Sequence, residues 1–166
     1  LKKLFALFLA VAGSATCAFS QIVPPSTGRI INFSVRAYSG GAENVLISGF
    51  SISGQHARPL LVRAIGPGLA QFGVTNFMPD PELRLYRTPT QEMANDNWGA
   101  DLNLAARHQR LGAFALDADS RDAAVWISLA PGSYTGHARG LNGALGEVLF
   151  EVYDGADPGN LSQSVA

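Results

Sequence analysis

Apolar and polar side chains alternate with a period of two along much of this chain. Ile31, Phe33, Val35 and Ala37 alternate with Asn32, Ser34, Arg36 and Tyr38, the pattern of a strand with one face in a core and the other in water. Ser39-Gly40-Gly41-Ala42 predicts a turn. Val45 to Ile52 follows as a second strand, with Leu46, Phe50, Ile52 and the small Ser48 on one face. Leu60 to Ile65 is nearly continuous aliphatic, interrupted by Arg63, as expected of a strand in the middle of a sandwich. Leu83 and Leu85 alternate with Arg84 and Tyr86. Three further strands are predicted over Ala123 to Leu129, Ser133 to Arg139 and Glu147 to Tyr153, with Ala130-Pro131-Gly132 and Gly140-Leu141-Asn142-Gly143 as the breaks between them.

Two stretches carry helical spacing. Gly68 to Phe72 is at most one turn, and Leu102 to Leu111 aligns Leu104, Ala105, His108 and Leu111 behind Asp101, a residue type that caps helix N-termini. Seven or eight short strands, frequent turns and one or two short helical segments predict an all-β antiparallel sandwich. The lack of long alternating helices excludes a parallel doubly wound sheet.

Composition supports that reading and narrows the function classes. The 166 residues suit one domain; 47% are hydrophobic and 15% charged, against roughly 25% charged in ordinary globular domains, which excludes a disordered chain. Eighteen glycines and nine prolines fit frequent turns. Lys2 and Lys3 are the only lysines, and after them ten arginines face thirteen acids. Without a basic run to neutralise phosphates, nucleic acid is excluded as a partner.

The two lysines precede an apolar run from Leu4 to Ala12 and the small or polar Gly13, Ser14, Ala15 and Thr16, the order of a secretory signal. The run is too short to cross a bilayer, so no membrane insertion is expected once the signal is removed. Ala18-Phe19-Ser20 predicts cleavage before Gln21, with cleavage after Ala18 as the alternative. The expected organisation is a signal peptide over 1–20, a linker over 21–28, the sandwich over 29–154 and a second linker over 155–166 able to lead into a further repeat. Cleavage removes Cys17, the only cysteine. The exported domain then has no disulfide and depends on its core alone.

Candidate chemistry is sparse. His56, His108 and His137 fall in a turn, a helix and a strand. Gly49-Phe50-Ser51-Ile52-Ser53 approaches a nucleophile elbow but carries Ser53 where the second glycine belongs, and reads as a small-residue strand. Gly66-Pro67-Gly68 has Gln71 at the position of a dinucleotide loop's third glycine, and reads as a tight turn. Asp80, Asn95, Asp96, Asn97 and Asp101 supply the oxygens that calcium takes in irregular geometry. The same residue types also form turns and helix caps, so the two roles compete at these positions. Asp117 to Asp122 is equally acidic but lacks the glycine and the terminal glutamate of a helix-loop-helix calcium site. Trp98, beside a glycine turn, is a candidate sugar-stacking residue; Trp126, between Val125 and Ile127, reads as core. Arg63 must find a carboxylate if it faces inward.

Asn32-Phe33-Ser34-Val35-Arg36-Ala37, Glu43 to Phe50, Val62-Arg63-Ala64-Ile65-Gly66-Pro67, Asp80-Pro81-Glu82-Leu83, Asn95-Asp96-Asn97-Trp98, Ala130-Pro131-Gly132-Ser133-Tyr134-Thr135 and Val152-Tyr153 form an ordered series. In it the chain resembles a repeated domain of large secreted bacterial surface proteins. The second half is also similar to the bacterial pre-peptidase C-terminal domain, a jelly-roll-like sandwich appended to secreted enzymes. The resemblance implies a structural or adhesive module, secreted or at the cell surface, without catalytic or cofactor-binding residues and flanked by neighbouring extracellular domains. The alternative is a calcium-assisted carbohydrate-binding accessory module of a secreted enzyme, with surface glycans as partners.

Overall fold

The computed structural model describes residues 30–40 and 44–156. The expected signal peptide, the first linker and most of the second therefore lie outside the described residues. Eight strands form two four-stranded antiparallel sheets: β1 (Asn32–Gly40), β2 (Leu46–Ile52), β3 (Arg58–Ile65), β4 (Pro81–Arg87), β5 (Thr90–Asn95), β6 (Ala123–Leu129), β7 (Gly132–Gly140) and β8 (Leu145–Asp154). Sheet A has the order β1-β8-β3-β6 and sheet B the order β2-β7-β4-β5, the interleaved arrangement of a jelly roll. All seven expected strands are present. The eighth is β5, which the alternation does not reveal.

The core between the sheets follows the period-two pattern. Leu60, Val62 and Ala64 of β3, Val148, Phe150 and Val152 of β8, and Leu83 and Leu85 of β4 meet there. Gly136 of β7 faces Phe150, and a β-carbon at 136 would collide with the Phe150 ring, so the two sheets close to that distance only with glycine at this position. Ser39, buried at the end of β1, ties the sheet edges together: its single hydroxyl proton faces the carbonyls of Asn44 at 2.6 Å and Ala138 at 3.1 Å, and its oxygen accepts from the Leu46 amide.

Sheet A is covered on its other face as well, which is why β3 is apolar throughout. Leu61, Ile65, Ala124 and Tyr153 pack against Leu69, Trp98 and Leu104. These come from a 3-10 helix over Pro67–Phe72, from the segment after β5, and from α1 (Leu102–Leu111). The helix has the bounds expected from its spacing: the Asp101 carboxylate accepts from the amides of Asn103 and Leu104, and Gly112 ends it in the left-handed conformation.

Arg63 sits in this second layer with no exposed surface. Its Nε and Nη2 donate to Glu151 Oε2 at 2.9 and 2.5 Å, and Nη1 donates to the Phe114 carbonyl at 2.7 Å. The guanidinium also lies 4.3 Å from the centre of the Phe114 ring. β3 and β8 place Arg63 directly opposite Glu151, so the expected carboxylate partner comes from the neighbouring strand. Tyr153 Oη donates to Glu151 Oε1, and burial, reinforced by the Glu151 charge, pushes the Tyr153 phenol up to about 12. Removing one partner of a buried pair strands the other charge, at about 3–5 kcal/mol. Arg63→Ala is therefore expected to lower the unfolding free energy from denaturant titration by that much, with a matching fall in midpoint. Arg36→Ala, which removes a half-exposed partner of Glu147, should stay within about 0.5 kcal/mol of the wild type. Equal midpoints for the two variants would overturn the assignment.

Candidate functional site

The residues expected to hold calcium are distributed over different structural tasks. Asp80 precedes β4 and accepts from Arg121 Nη1 at 2.9 Å through Oδ2. Asn95 ends β5; its Nδ2 donates to the Asn97 carbonyl and its Oδ1 accepts from the Ala124 amide. Asp101 caps α1. Asp96 and Asn97 are exposed in the turn that follows β5. Asn95 and Asp101 line one groove of about 370 Å³, together with Trp98, Arg107 and Trp126, and Asp80 is not part of it. Among the described residues no three His, Cys, Asp or Glu side chains are grouped to hold a metal ion.

The two tryptophans have their rings covered. Trp98 is 7% exposed, donates its indole N–H to the Asp117 carbonyl and packs its ring against His108. It therefore presents no face to a sugar. Trp126 is overlaid by Arg107, whose guanidinium carbon lies 3.9 Å from a ring centre.

The three histidines stay apart, on the loop between β2 and β3, on α1 and on β7. His108 is 2% exposed, and its Nε2 meets no hydrogen-bond partner. Burial, followed by the nearby Arg63 charge, brings its pKa down to about 4. Asp122 is fully buried and accepts from the amides of Gly66 and Gly68 and from the Ser120 hydroxyl. Burial raises its pKa, and those bonds oppose the rise. Asp122 thus fixes the turn expected at Gly66-Pro67-Gly68 to the start of β6.

The sequence reading does not single out the outer face of sheet B. Inward Leu83, Leu85, Tyr134 and Ala138 leave Glu82, Arg84 and Tyr86 of β4 and Thr135, His137 and Arg139 of β7 pointing away from the core. Register sets Glu82 opposite Arg139, Arg84 opposite His137 and Tyr86 opposite Thr135. Glu82 Oε1 accepts from Arg84 Nε at 2.9 Å and Oε2 accepts from Arg139 Nε at 2.6 Å. Burial of Glu82 works against ionisation, but the bonds from Arg84 and Arg139 outweigh it and hold the carboxyl below its ordinary value. Tyr86 and His137 rings lie 4.6 Å apart, and the Tyr86 hydroxyl donates to Gln91 at 3.2 Å. Burial and the charges of Arg139 and Arg84 lower the His137 pKa. The helical layer packs on sheet A, so this face of sheet B is left in water. A pattern signal for it existed in the polar half of each alternating strand, but the paired residues that bring those halves together are 49 or more positions apart in the chain.

No family model matches the sequence, and no curated protein matches it. Among solved structures, the fold is similar to the pre-peptidase C-terminal domain of collagenase from Bacillus anthracis. The two are 10% identical, and the match covers 74% of this chain and 89% of that one with a TM-score of 0.45. The match assigns no role to any residue here.

Two outcomes test this part of the structure. Calcium that binds only the folded state would raise stability by about 2.7 kcal/mol at one hundred times its dissociation constant; Asp80 bonds Arg121 through Oδ2, its Oδ1 is buried without a partner, and it lies outside the groove of Asn95 and Asp101, so melting in excess calcium and in chelator should give the same midpoint. A rise with calcium would instead establish an ion site at these residues. His108 contributes a pH dependence of definite sign. The unfolded imidazole takes a proton near 6.5 and the folded one only near 4, so stability falls as pH drops through that window. His108→Gln should flatten this part of the stability curve, and an unchanged slope would remove His108 as its source.

Proposed function

We propose that this chain is a secreted, non-catalytic structural or adhesive module at the bacterial cell surface. The observation that carries the reading is how its chemistry-bearing side chains are used. Arg63, Glu151 and Asp122 are each committed to holding one element of the fold to another, and Asp101 to capping α1. No histidine lies where it would activate Ser120, whose hydroxyl is engaged by Asp122. What faces outward in a fixed geometry is the polar face of sheet B, and a preorganised surface of this kind loses less conformational entropy when it binds. The order of charged, apolar and small residues at the start of the sequence supports export.

Cell fractionation and turnover assays test the proposal together. The protein should be released from intact cells by added protease, with Lys2 and Lys3 absent from its mass. The purified chain should leave model esters, peptides and glycosides unhydrolysed. Retention in the cytoplasm with both lysines present would overturn the localisation. Turnover that disappears in His137→Ala would overturn the non-catalytic assignment.

A further inference from the structure

The geometry points to the outer face of sheet B as a binding site for a carboxylate-bearing polysaccharide, with Arg84 and Arg139 meeting the acid groups and Tyr86 meeting a sugar ring. This inference rests on the binding-module reading and specifies its ligand. It begins with charge. On the outer face of the β4–β7 pair, Arg84 and Arg139 carry two positive charges against the one negative charge of Glu82, in a chain whose formal net charge is -1. Arg87 stands apart at the end of β4, its guanidinium over the inward Tyr134 ring.

Its arrangement matters more than its amount. Glu82 is 7% exposed and receives both Arg84 and Arg139 from behind. Arg84 is bound through Nε and Nη2, and its charged form is strengthened first by Glu82 and then by Tyr86. Arg139 is bound through Nε, and among the described residues its two Nη groups meet no acceptor. One carboxylate cannot use all the donors of two guanidiniums. Both side chains are partly exposed and already held by Glu82. An incoming carboxylate gains charge-assisted bonds without first having to order the arginines.

The surroundings favour a carbohydrate over a protein. Tyr86 is the aromatic of this cluster, held between His137 at 4.6 Å and Gln91 at 3.2 Å. Across the sheet its row continues through Thr135 to Gly49, with Ser133 and Ser51 in the next row. Small residues beside a fixed ring leave a shelf about one strand spacing wide per residue, about 4.8 Å, bordered by hydroxyls that can exchange hydrogen bonds with sugar hydroxyls. A protein interface would call for a cluster of buried apolar anchors, and Ile47 is the exposed large aliphatic on the outer face of β2. Of the tryptophans, the usual stacking residues, Trp98 is buried and Trp126 is partly buried beneath Arg107 on sheet A.

Polygalacturonate serves as the probe, compared with its fully methyl-esterified form and with a neutral xylan. Each is tested by affinity electrophoresis and titration against the whole chain. Polygalacturonate should bind and weaken with added salt, and the ester and the xylan should bind at least about tenfold more weakly, because a lost charge-assisted bond costs at least that factor. Arg139→Gln and Tyr86→Ala should each reduce polygalacturonate binding by about tenfold or more, with melting midpoints recorded for both. Arg87→Gln at the strand end should leave binding near the wild-type value and separate a specific pair of arginines from general positive charge. Equal binding of all three polymers, or loss only in variants that have unfolded, would overturn the inference. Failure to bind any of them while the chain still adheres to intact cells would overturn the ligand and spare the module. Failure to bind either would remove both.

Discussion

The pairing of Arg63 with Glu151 governs how the whole molecule is layered. An arginine in the middle of an apolar strand is intolerable unless a carboxylate meets it in the dry interior, and only the neighbouring strand β8 delivers one at the right register. That requirement fixes β3 beside β8 and decides which face of sheet A receives the helical layer. The Phe114 carbonyl takes the remaining Nη1, so the loop after α1 is anchored to the same cation. Tyr153 closes the other side of Glu151. Two strands and one loop thus converge on a single charged group, and the packing of Leu61, Ile65 and Trp98 follows from their positions around it.

The two faces of the sandwich are unequal because of this arrangement. Over β3 and the adjoining parts of β6 and β8, sheet A spends its outer face on burial, sealed by the 3-10 helix and α1, while the outer residues of β1 stay in water. Sheet B keeps an ordinary solvated face, yet its charged residues are not left to wander. Glu82 restrains two arginines much as Glu151 restrains one, but near the surface and with donor capacity left over. The same chemical device therefore locks one layer of the fold and arms another.

Much of the architecture is legible in the sequence because alternation reports burial directly. Phe33 and Val35, Leu46 and Phe50, and Leu83 and Leu85 all face the core as their spacing implies, and Asp101 begins the helix whose limits it marks. β5 escapes notice for a physical reason. Thr90-Gln91-Glu92-Met93-Ala94-Asn95 lies at a sheet edge, where polar residues discourage unwanted pairing, and it places Met93 alone against the main core. A bulge between Leu85 and Tyr86 shifts its register as well, breaking the period. The sheet B face is hidden for a different reason: Glu82 and Arg139 are 57 positions apart, and no local pattern says that β4 lies beside β7. Trp98 misleads in the opposite direction, since an exposed-looking glycine turn conceals a ring that the fold turns inward.

The first and last strands lie side by side, Asn32 opposite Tyr153, and the Asp154 amide donates to the Ile31 carbonyl. Being antiparallel, β1 begins where β8 ends. Tension between those two points would pull on the ladder from one end, breaking its hydrogen bonds one after another instead of loading them all at once. Under such a load β1 would peel away at modest force while β8 remained held by β3 on its other edge, so that the molecule would lengthen gradually before the layer around Arg63 gave way.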